Sequence, residues 1–497
     1  MQLTTDSPSS SKRSFEYHPE KFLVNLLVEH GTTEKNTWSN NNSTLHHWTH
    51  ILDLEDIKNT PSKIFASIFF YNQVSGRSPI IAVPVAGWRT EIEDERCSCL
   101  SIFSRRTRED RLVAEYAKSF SLSSFTTAKN ADLILRISKA AQRMEVFTEG
   151  NERLFRVTAG VRITDADAYL HKLGLALPPN MPTLHVASLV GAAANGCYGP
   201  GRDYGPMTTN IVQMKVINAF GKEIVLSQTE NSDLFRVLRD CHMGSAGFVS
   251  EITLKNIETK FLMRRHNTLY KDVLDFETKM HHANRLNNEH FMIMYIPVDI
   301  EKKDDNYPRI RVTTFERTHE APRKETKCRE HENLTDYLNL MTTEAGEPLI
   351  DLVTKSEILH PFLPFILKTA ALKTYGVDEE TVEVDWSASI AHVFKTYTDL
   401  PICDINWLIQ VNSADEARHL LTSLLHLIED HLKVFAGRGE YPLFNAFARY
   451  LKGVYYPEGE GGVTPTATDQ PHQSILSFEL ISYSPLAETK AFKFLVS

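Results

Sequence analysis

Four glycines, Gly196, Gly199, Gly201 and Gly205, fall within ten residues of the stretch VGAAANGCYGPGRDYGPMTTNIVQMKVINAFGKEIVLS, Val190 to Ser227. Glycine tolerates positive φ and lets other atoms come close to the backbone. A cluster this dense, placed directly before an alternating apolar run, predicts a closely approached loop feeding a strand. Such a loop can be a nest of N–H groups aimed at an anion, or simply a glycine-rich surface turn. The spacing excludes the dinucleotide fingerprint of a βαβ unit, because GCYGPG neither follows a strand nor opens a helix.

The rest of the chain must supply a scaffold for that loop. Its 497 residues are too many for one compact core and imply two or three domains. A formal net charge of −9 leaves no basic footprint for a nucleic-acid partner. No run approaches the roughly 18 apolar residues of a membrane span. MQLTTDSPSSSKRSFEYHPE has no apolar signal-peptide core, so it reads as a flexible lead-in to a cytoplasmic protein. The six cysteines are scattered, with neither a disulfide framework nor a CxxC pair.

Periodicity places several elements. PSKIFASIFFYNQVSGRS predicts a short helix ending near Gly76, and Ile80 to Val85 a strand broken at Ala86-Gly87. EIEDERCSCLSIFSRRTREDRLVAEYAKSF reads as a surface insertion. ADLILRISKA and LFRVTAGVRI are strand-like. TDADAYLHKLG predicts a helix with a capping box at Thr164 and Asp167 and an αL C-cap at Gly174. After the glycines come two strands around Phe220-Gly221-Lys222, a helix over NSDLFRVLRDCHMG closed by Gly244, and a strand starting near Gly247. Longer strands and helices follow Thr259, including YKDVLDFETKMHHANRLN and SADEARHLLTSLLHLIEDHL.

The block from Leu154 to Glu258 resembles the FAD-binding, PCMH-type domain of the vanillyl-alcohol oxidase and p-cresol methylhydroxylase superfamily. LFRVTAGVRITDADAYLHKLGLALP is similar to that family's strand, helix and Gly-Leu-Ala-Leu-Pro run. The glycine loop with its Tyr-Gly pair and hairpin, and NSDLFRVLRDCHMGSAGFVSEITLK, match in order. The resemblance implies an α+β fold: a two-subdomain FAD-binding domain over 61–258 after a lead-in over 1–60. A substrate domain with an antiparallel sheet follows over 259–497, possibly truncated at its C-terminus. It implies that Gly191, Gly196, Cys197, Tyr198 and Gly199 lie at the flavin and its pyrophosphate. Val249 would meet the adenine end, and Ala86, Gly87, Trp88 and Arg89 would form a first pyrophosphate loop.

The later part is similar to the aldonolactone and alditol oxidase branch: DINWLIQVNSADEARHLL matches its floor strand and NAFARYLKGVYYPEGEG its arginine strand. That implies catalytic positions at Arg449, Asn406 and Lys452, with Lys452 on the opposite strand face from Arg449. Arg449 could equally be an arginine paired on a sheet face. The chain departs from the branch in four places. Trp88 or Arg89 stands where many members carry a flavin-linking histidine. Asn406 stands where a glutamate is usual, Phe447-Ala448 precedes Arg449 in place of a carboxylate, and the sequence stops at AFKFLVS where relatives continue into a closing His-Trp segment, so either that segment is lacking or the sequence is a truncated form. FAD is therefore expected to bind without a covalent bond, Cys197 being the one conceivable linkage.

The expected function is FAD-dependent oxidation of a hydroxyl-bearing small molecule, a sugar lactone, alditol or related alcohol, by hydride transfer. Dioxygen or another acceptor would reoxidise the flavin. The alternative is a binding or effector module that has lost turnover, against which the intact glycines stand. His46, His47 and His50, with i, i+4 helical spacing between His46 and His50, and His281, His282 and His290 lack completing ligands and are read as surface or interface histidines, with no metal expected. His242 reads as a helix-end residue favoured by the dipole.

Overall fold

The computed structural model describes residues 35–39, 46–56, 58–75, 82–85, 133–182, 187–242, 247–283, 290–296, 309–324, 380–387, 402–438, 440, 445–456 and 466–483. Three larger sheets organise them. The first joins β1 (Lys35–Ser39), β2 (His46–Leu54), β3 (Ala82–Val85) and β4 (Leu133–Ile137) in the order β1-β2-β4-β3. Both β2 and β3 run parallel to β4. Two of its strands come from the stretch read as lead-in, and His46 to His50 lie on β2, not on the helix their spacing suggested. Helix α1 (Asn59–Ser75) follows as the sequence predicts.

The second sheet is antiparallel: β5 (Met144–Glu149), β6 (Glu152–Thr158), β8 (Ile211–Ile217), β9 (Glu223–Ser227) and β10 (Phe248–Leu254), in the order β5-β6-β10-β8-β9. Between β6 and β8 lie α2 (Ile163–Lys172), the short β7 (Leu175–Ala176) and α3 (Leu189–Ala194). Helix α4 (Ser232–Cys241) links β9 to β10. Leu52, Leu135, Phe155, Val157, Leu170, Leu189, Met214, Phe235 and Ile252 belong to one continuous core shared by these two sheets and their helices. The cap of α2 corrects the sequence reading: Arg162, not Thr164, is the N-cap residue, and it makes no side-chain cap. Its guanidinium instead pairs with Asp165, with Nε 2.8 Å from Oδ2. Asp167 is buried, and burial drives its pKa well above the usual carboxylate value. Gly174 does adopt positive φ (+75°) just past the helix.

The third sheet has eight strands. They are β12 (Leu262–Tyr270), β13 (His290–Tyr295), β14 (Ile310–Thr318), β15 (Arg323–Lys324), β16 (Glu380–Trp386), β17 (Ile402–Val411), β18 (Asn445–Lys452) and β21 (Ser474–Tyr483). Their order is β15-β16-β12-β14-β13-β18-β21-β17, every pairing antiparallel. Two small pairings complete the strands: β11 (Glu258–Thr259) with β7, and β19 (Val454–Tyr455) with β20 (Ala467–Thr468). Because strand side chains alternate faces, this sheet has two different surfaces. Phe291, Ile293, Tyr295, Ala446, Ala448, Tyr450, Leu476, Phe478 and Leu480 share a core with helices α5 (Val273–Ala283) and α6 (Ala414–Ala436). Helix α6 begins with the capping arrangement its sequence invites: Ser413 Oγ accepts from Glu416 N–H at 3.1 Å, and Glu416 Oε2 accepts from Asn412 N–H at 2.7 Å. The opposite surface, carrying Asn406, Phe447, Arg449, Ser477 and Glu479, faces the glycine loop.

Candidate functional site

The loop begins where α3 ends. Ser188 caps that helix, its Oγ accepting from Gly191 N–H at 3.1 Å. Gly196 then turns the chain with φ +62°, a conformation few other residues hold. A Cβ on Gly199 would sit 2.2 Å from the Met181 carbonyl oxygen, so only glycine fits there. The Asn180 amide fastens the far end, donating to the Gly205 and Pro206 carbonyls at 2.8 and 3.1 Å. Asn180 Oδ1 in turn accepts from Asn210 Nδ2 at 2.8 Å, and Asn210 Oδ1 accepts from Asn256 Nδ2 at 2.8 Å. Asn180 and Asn210 are buried, so each bond lost between them leaves an unpaired polar group and the pair is held rigid.

Across the loop stands β18. Gly201 N–H donates to the Tyr450 carbonyl, and Lys452 N–H lies between the Gly201 and Tyr204 carbonyls, each at 3.2 Å. Lys452 therefore contributes backbone, and its side chain is exposed and away from the cluster. Below, the Tyr456 hydroxyl donates to the fully buried Asp240 carboxylate of α4, which Arg239 also pairs at 3.0 Å. Burial, then the neighbouring Asp240, pushes the Tyr456 phenol up.

The loop delivers Tyr198 into a polar cluster on the eight-stranded sheet. Register explains the cluster: Glu479 is cross-strand partner to both Asn406 on β17 and Phe447 on β18, and Ser477 is partner to Arg449. Cross-strand partners share a face. Arg449 forks onto Glu479, Nη1 to Oε1 at 3.3 Å and Nη2 to Oε2 at 3.4 Å. Asn406 Nδ2 donates to Tyr198 Oη and lies 3.3 Å from Glu479 Oε1. Ser477 Oγ is 3.0 Å from Tyr198 Oη, 3.2 Å from Asn406 Oδ1 and 3.3 Å from Glu479 Oε1. The Arg449 guanidinium carbon lies 5.8 Å from the Tyr198 ring centre. Burial first, then the Glu479 charge, pushes the Tyr198 phenol up, so it stays neutral and can both give and take a hydrogen bond.

Of the residues expected from sequence, the structure brings together Arg449, Asn406, Tyr198 and the glycines 196 and 199. Gly191 lies one helix back, and Val249 is buried in β10 opposite Val216. Ala86, Gly87, Trp88, Arg89, the insertion after them, Gly76, Gly244 and the C-terminal residues lie outside the described set. Among the described residues no cluster of His, Cys, Asp or Glu could hold a metal. His242 does sit at the C-cap of α4, but burial lowers its pKa to about 4, so it is neutral and gains nothing from the helix dipole. Sequence reasoning missed Glu479 and Ser477. Their signal was two polar residues at i, i+2 inside the apolar run SILSFELISY.

Gly191, Gly196, Cys197, Gly199 and Gly201 N–H groups donate to Ser188, Ala193, Ala192, Asn180 and Tyr450. These five donors are spent inside the chain and are not left for an anion. What the loop presents is a neutral phenol and a neutral thiol: burial, then the Cys241 thiol, raises Cys197 to about 11. That donor set fits an uncharged flavin ring and leaves a pyrophosphate to other residues.

Architecture and loop together define an FAD-binding flavoprotein fold. A family profile described as FAD binding domain matches residues 113–227. Over that stretch the chain is similar to an FAD-binding domain of the PCMH type, and FAD is the cofactor that the match supports. A solved structure of cholesterol oxidase from B. sterolicum superposes with a TM-score of 0.63 at 13% identity, covering 93% of this chain and 82% of that one. A mitochondrial L-galactono-1,4-lactone dehydrogenase of Brassica oleracea is 28% identical over 167 residues, 33% of this chain and 25% of that protein. An alditol oxidase of a Streptomyces species is 30% identical over 150 residues, 29% of this chain and 34% of that protein. The matched stretch thus spans about a quarter to a third of these curated relatives. No helix among the described residues is long and apolar enough to cross a membrane.

Proposed function

We propose that this protein is an FAD-dependent oxidoreductase that oxidises the CH–OH group of a small hydroxylated molecule, a sugar lactone, an alditol or a related alcohol. The observation that carries it is the position of Glu479. It stands on the strand between Asn406 and Phe447, the two places where the oxidase branch is expected to carry an acid and this chain does not. One carboxylate thus serves both positions. Bound FAD supplies the hydride acceptor. Arg449 holds the substrate oxygen as a fixed cationic donor, and Glu479 takes the hydroxyl proton. Asn406 and Ser477 orient that hydroxyl, and Tyr198 closes the site toward the loop. The protonated, half-buried Cys197 thiol supports FAD held without a covalent bond.

We place the domain boundary near residue 258, between β10 and β12, and the protein in the cytoplasm, with dioxygen or another small acceptor closing the cycle. The second reading, a binding or effector module, draws support from Gly199 and Gly201. Contacts within the chain account for these glycines, so their presence does not by itself argue for turnover.

The test is the visible spectrum of the purified protein before and after acid precipitation, followed by anaerobic reduction with lactones, alditols and hydroxy acids. Yellow colour released to the supernatant and bleached by one substrate class supports the oxidoreductase. Colour that no substrate bleaches supports the module, and a colourless protein that added FAD does not restore overturns the oxidoreductase and leaves the module standing.

A further inference from the structure

His290, the first residue of β13, is buried at 2% exposure in the interior between the two halves of the molecule. Its Nδ1 is hydrogen-bonded to the Pro200 carbonyl. A carbonyl can only accept, so Nδ1 carries the proton and the tautomer is fixed. Its ring stacks on Tyr204 with centroids 5.6 Å apart and planes inclined by 6°, and meets Phe315, its cross-strand partner, edge-on at 6.3 Å. Pro200 and Tyr204 flank Gly201, the residue whose backbone bonds β18. The stretch from Pro200 to Tyr204 is thus gripped on one side by strand backbone and on the other by this imidazole. Tyr198 lies two residues before the gripped carbonyl, and its hydroxyl belongs to the Arg449–Glu479 cluster.

We infer that His290 is a positioning residue, an imidazole clamp that fixes the glycine loop against the substrate sheet and so sets where Tyr198 stands relative to Arg449 and Glu479. Its link to cofactor binding rests on the function proposed above; the clamp itself does not. Two substitutions separate its parts. His290→Phe keeps a ring to stack on Tyr204 and removes the N–H donor. His290→Asn places an amide N–H near the Nδ1 position and removes the ring.

The first measurement is hydrogen exchange of amides 196–205 and 450–452 in the full chain without added FAD, so it is independent of the cofactor reading. Faster exchange by about tenfold or more in His290→Phe, restored to within about threefold by His290→Asn, is expected. Equal protection in all three proteins, or equal loss in both variants, overturns the clamp. Should His290→Phe fail to fold, Gly201→Ala reports on the same contact without touching the histidine. Its Cβ would meet Tyr204 at 3.0 Å and His290 Nδ1 at 3.4 Å, so it should open the loop in the same way, and unchanged exchange there overturns the clamp as well. The second measurement is FAD affinity by quenching of flavin fluorescence, set against the thermal midpoint of the cofactor-free protein. A loss of affinity in His290→Phe, recovered in His290→Asn at matched midpoints, marks positioning of the loop and not general weakening. If the wild-type chain takes up no FAD while the exchange pattern is as expected, the cofactor reading fails and the clamp stands.

Discussion

The loop over 196–205 and the polar row on β17, β21 and β18 meet at one hydroxyl, yet they are held by opposite means. The loop is fixed by backbone: glycines that admit close neighbours, carbonyls that receive Asn180, and amides spent within the chain. The row is fixed by side chains whose positions follow from strand register alone. The difference teaches that a backbone-built site tolerates no added carbon, whereas a register-built site can move a functional group to a neighbouring strand. An acid at Glu479 reaches the same space as one at position 447, because the two residues are partners across the ladder.

The largest expected effect tests the row. Glu479→Gln should retain FAD and lose substrate-driven flavin reduction by about 100- to 10,000-fold, the usual worth of a positioned base, read by anaerobic stopped flow. The double variant Phe447→Glu, Glu479→Gln should recover part of it if the acid has moved between strands, and no recovery breaks the comparison. Next comes the loop. Gly199→Ala should destabilise the fold by about 3 kcal/mol or more in urea unfolding, since the Met181 backbone must move.

Smaller effects come from titration. His242 has its pKa lowered from 6.5 to about 4 by burial, so the unfolded chain binds its proton first as pH falls. Its contribution is complete above pH 6.5 and lost toward pH 4, about 3 kcal/mol in all. His242→Gln should flatten that limb of a stability–pH curve. The smallest concerns Lys452: Lys452→Ala should change stability by less than about 0.5 kcal/mol and leave turnover within about twofold, because its side chain is exposed and its backbone makes the contact.

The loop was legible in sequence because its signal is local: glycines, a Tyr-Gly pair and an alternating run lie side by side, and the hairpin and α4 fall where the pattern puts them. Gly174 could be read for the same reason. The reading of Thr164 as a cap failed because the helix already begins at Ile163, with Arg162 as its N-cap residue paired to Asp165. Glu479 was illegible because its meaning depends on its partners Asn406 on β17 and Phe447 on β18, which lie 73 and 32 residues earlier in the chain and whose register no local pattern encodes. Asn180 was hidden likewise, as its side-chain partners lie from Gly205 to Asn210. The glycines themselves were legible in kind, but that the bare backbone at Gly199 also admits Met181 could not be read locally.

One feature of the fold reaches into how such molecules diversify. Gly201 donates its N–H to the Tyr450 carbonyl and accepts from Lys452 N–H across a gap of about 250 residues, and a backbone bond does not depend on which side chains flank it. A new substrate sheet could therefore replace the old one in a descendant chain, or in an engineered hybrid, and still be received by the same loop. What such a graft must bring with it is only an open strand edge at the right depth, with chemistry free to vary on the face beyond.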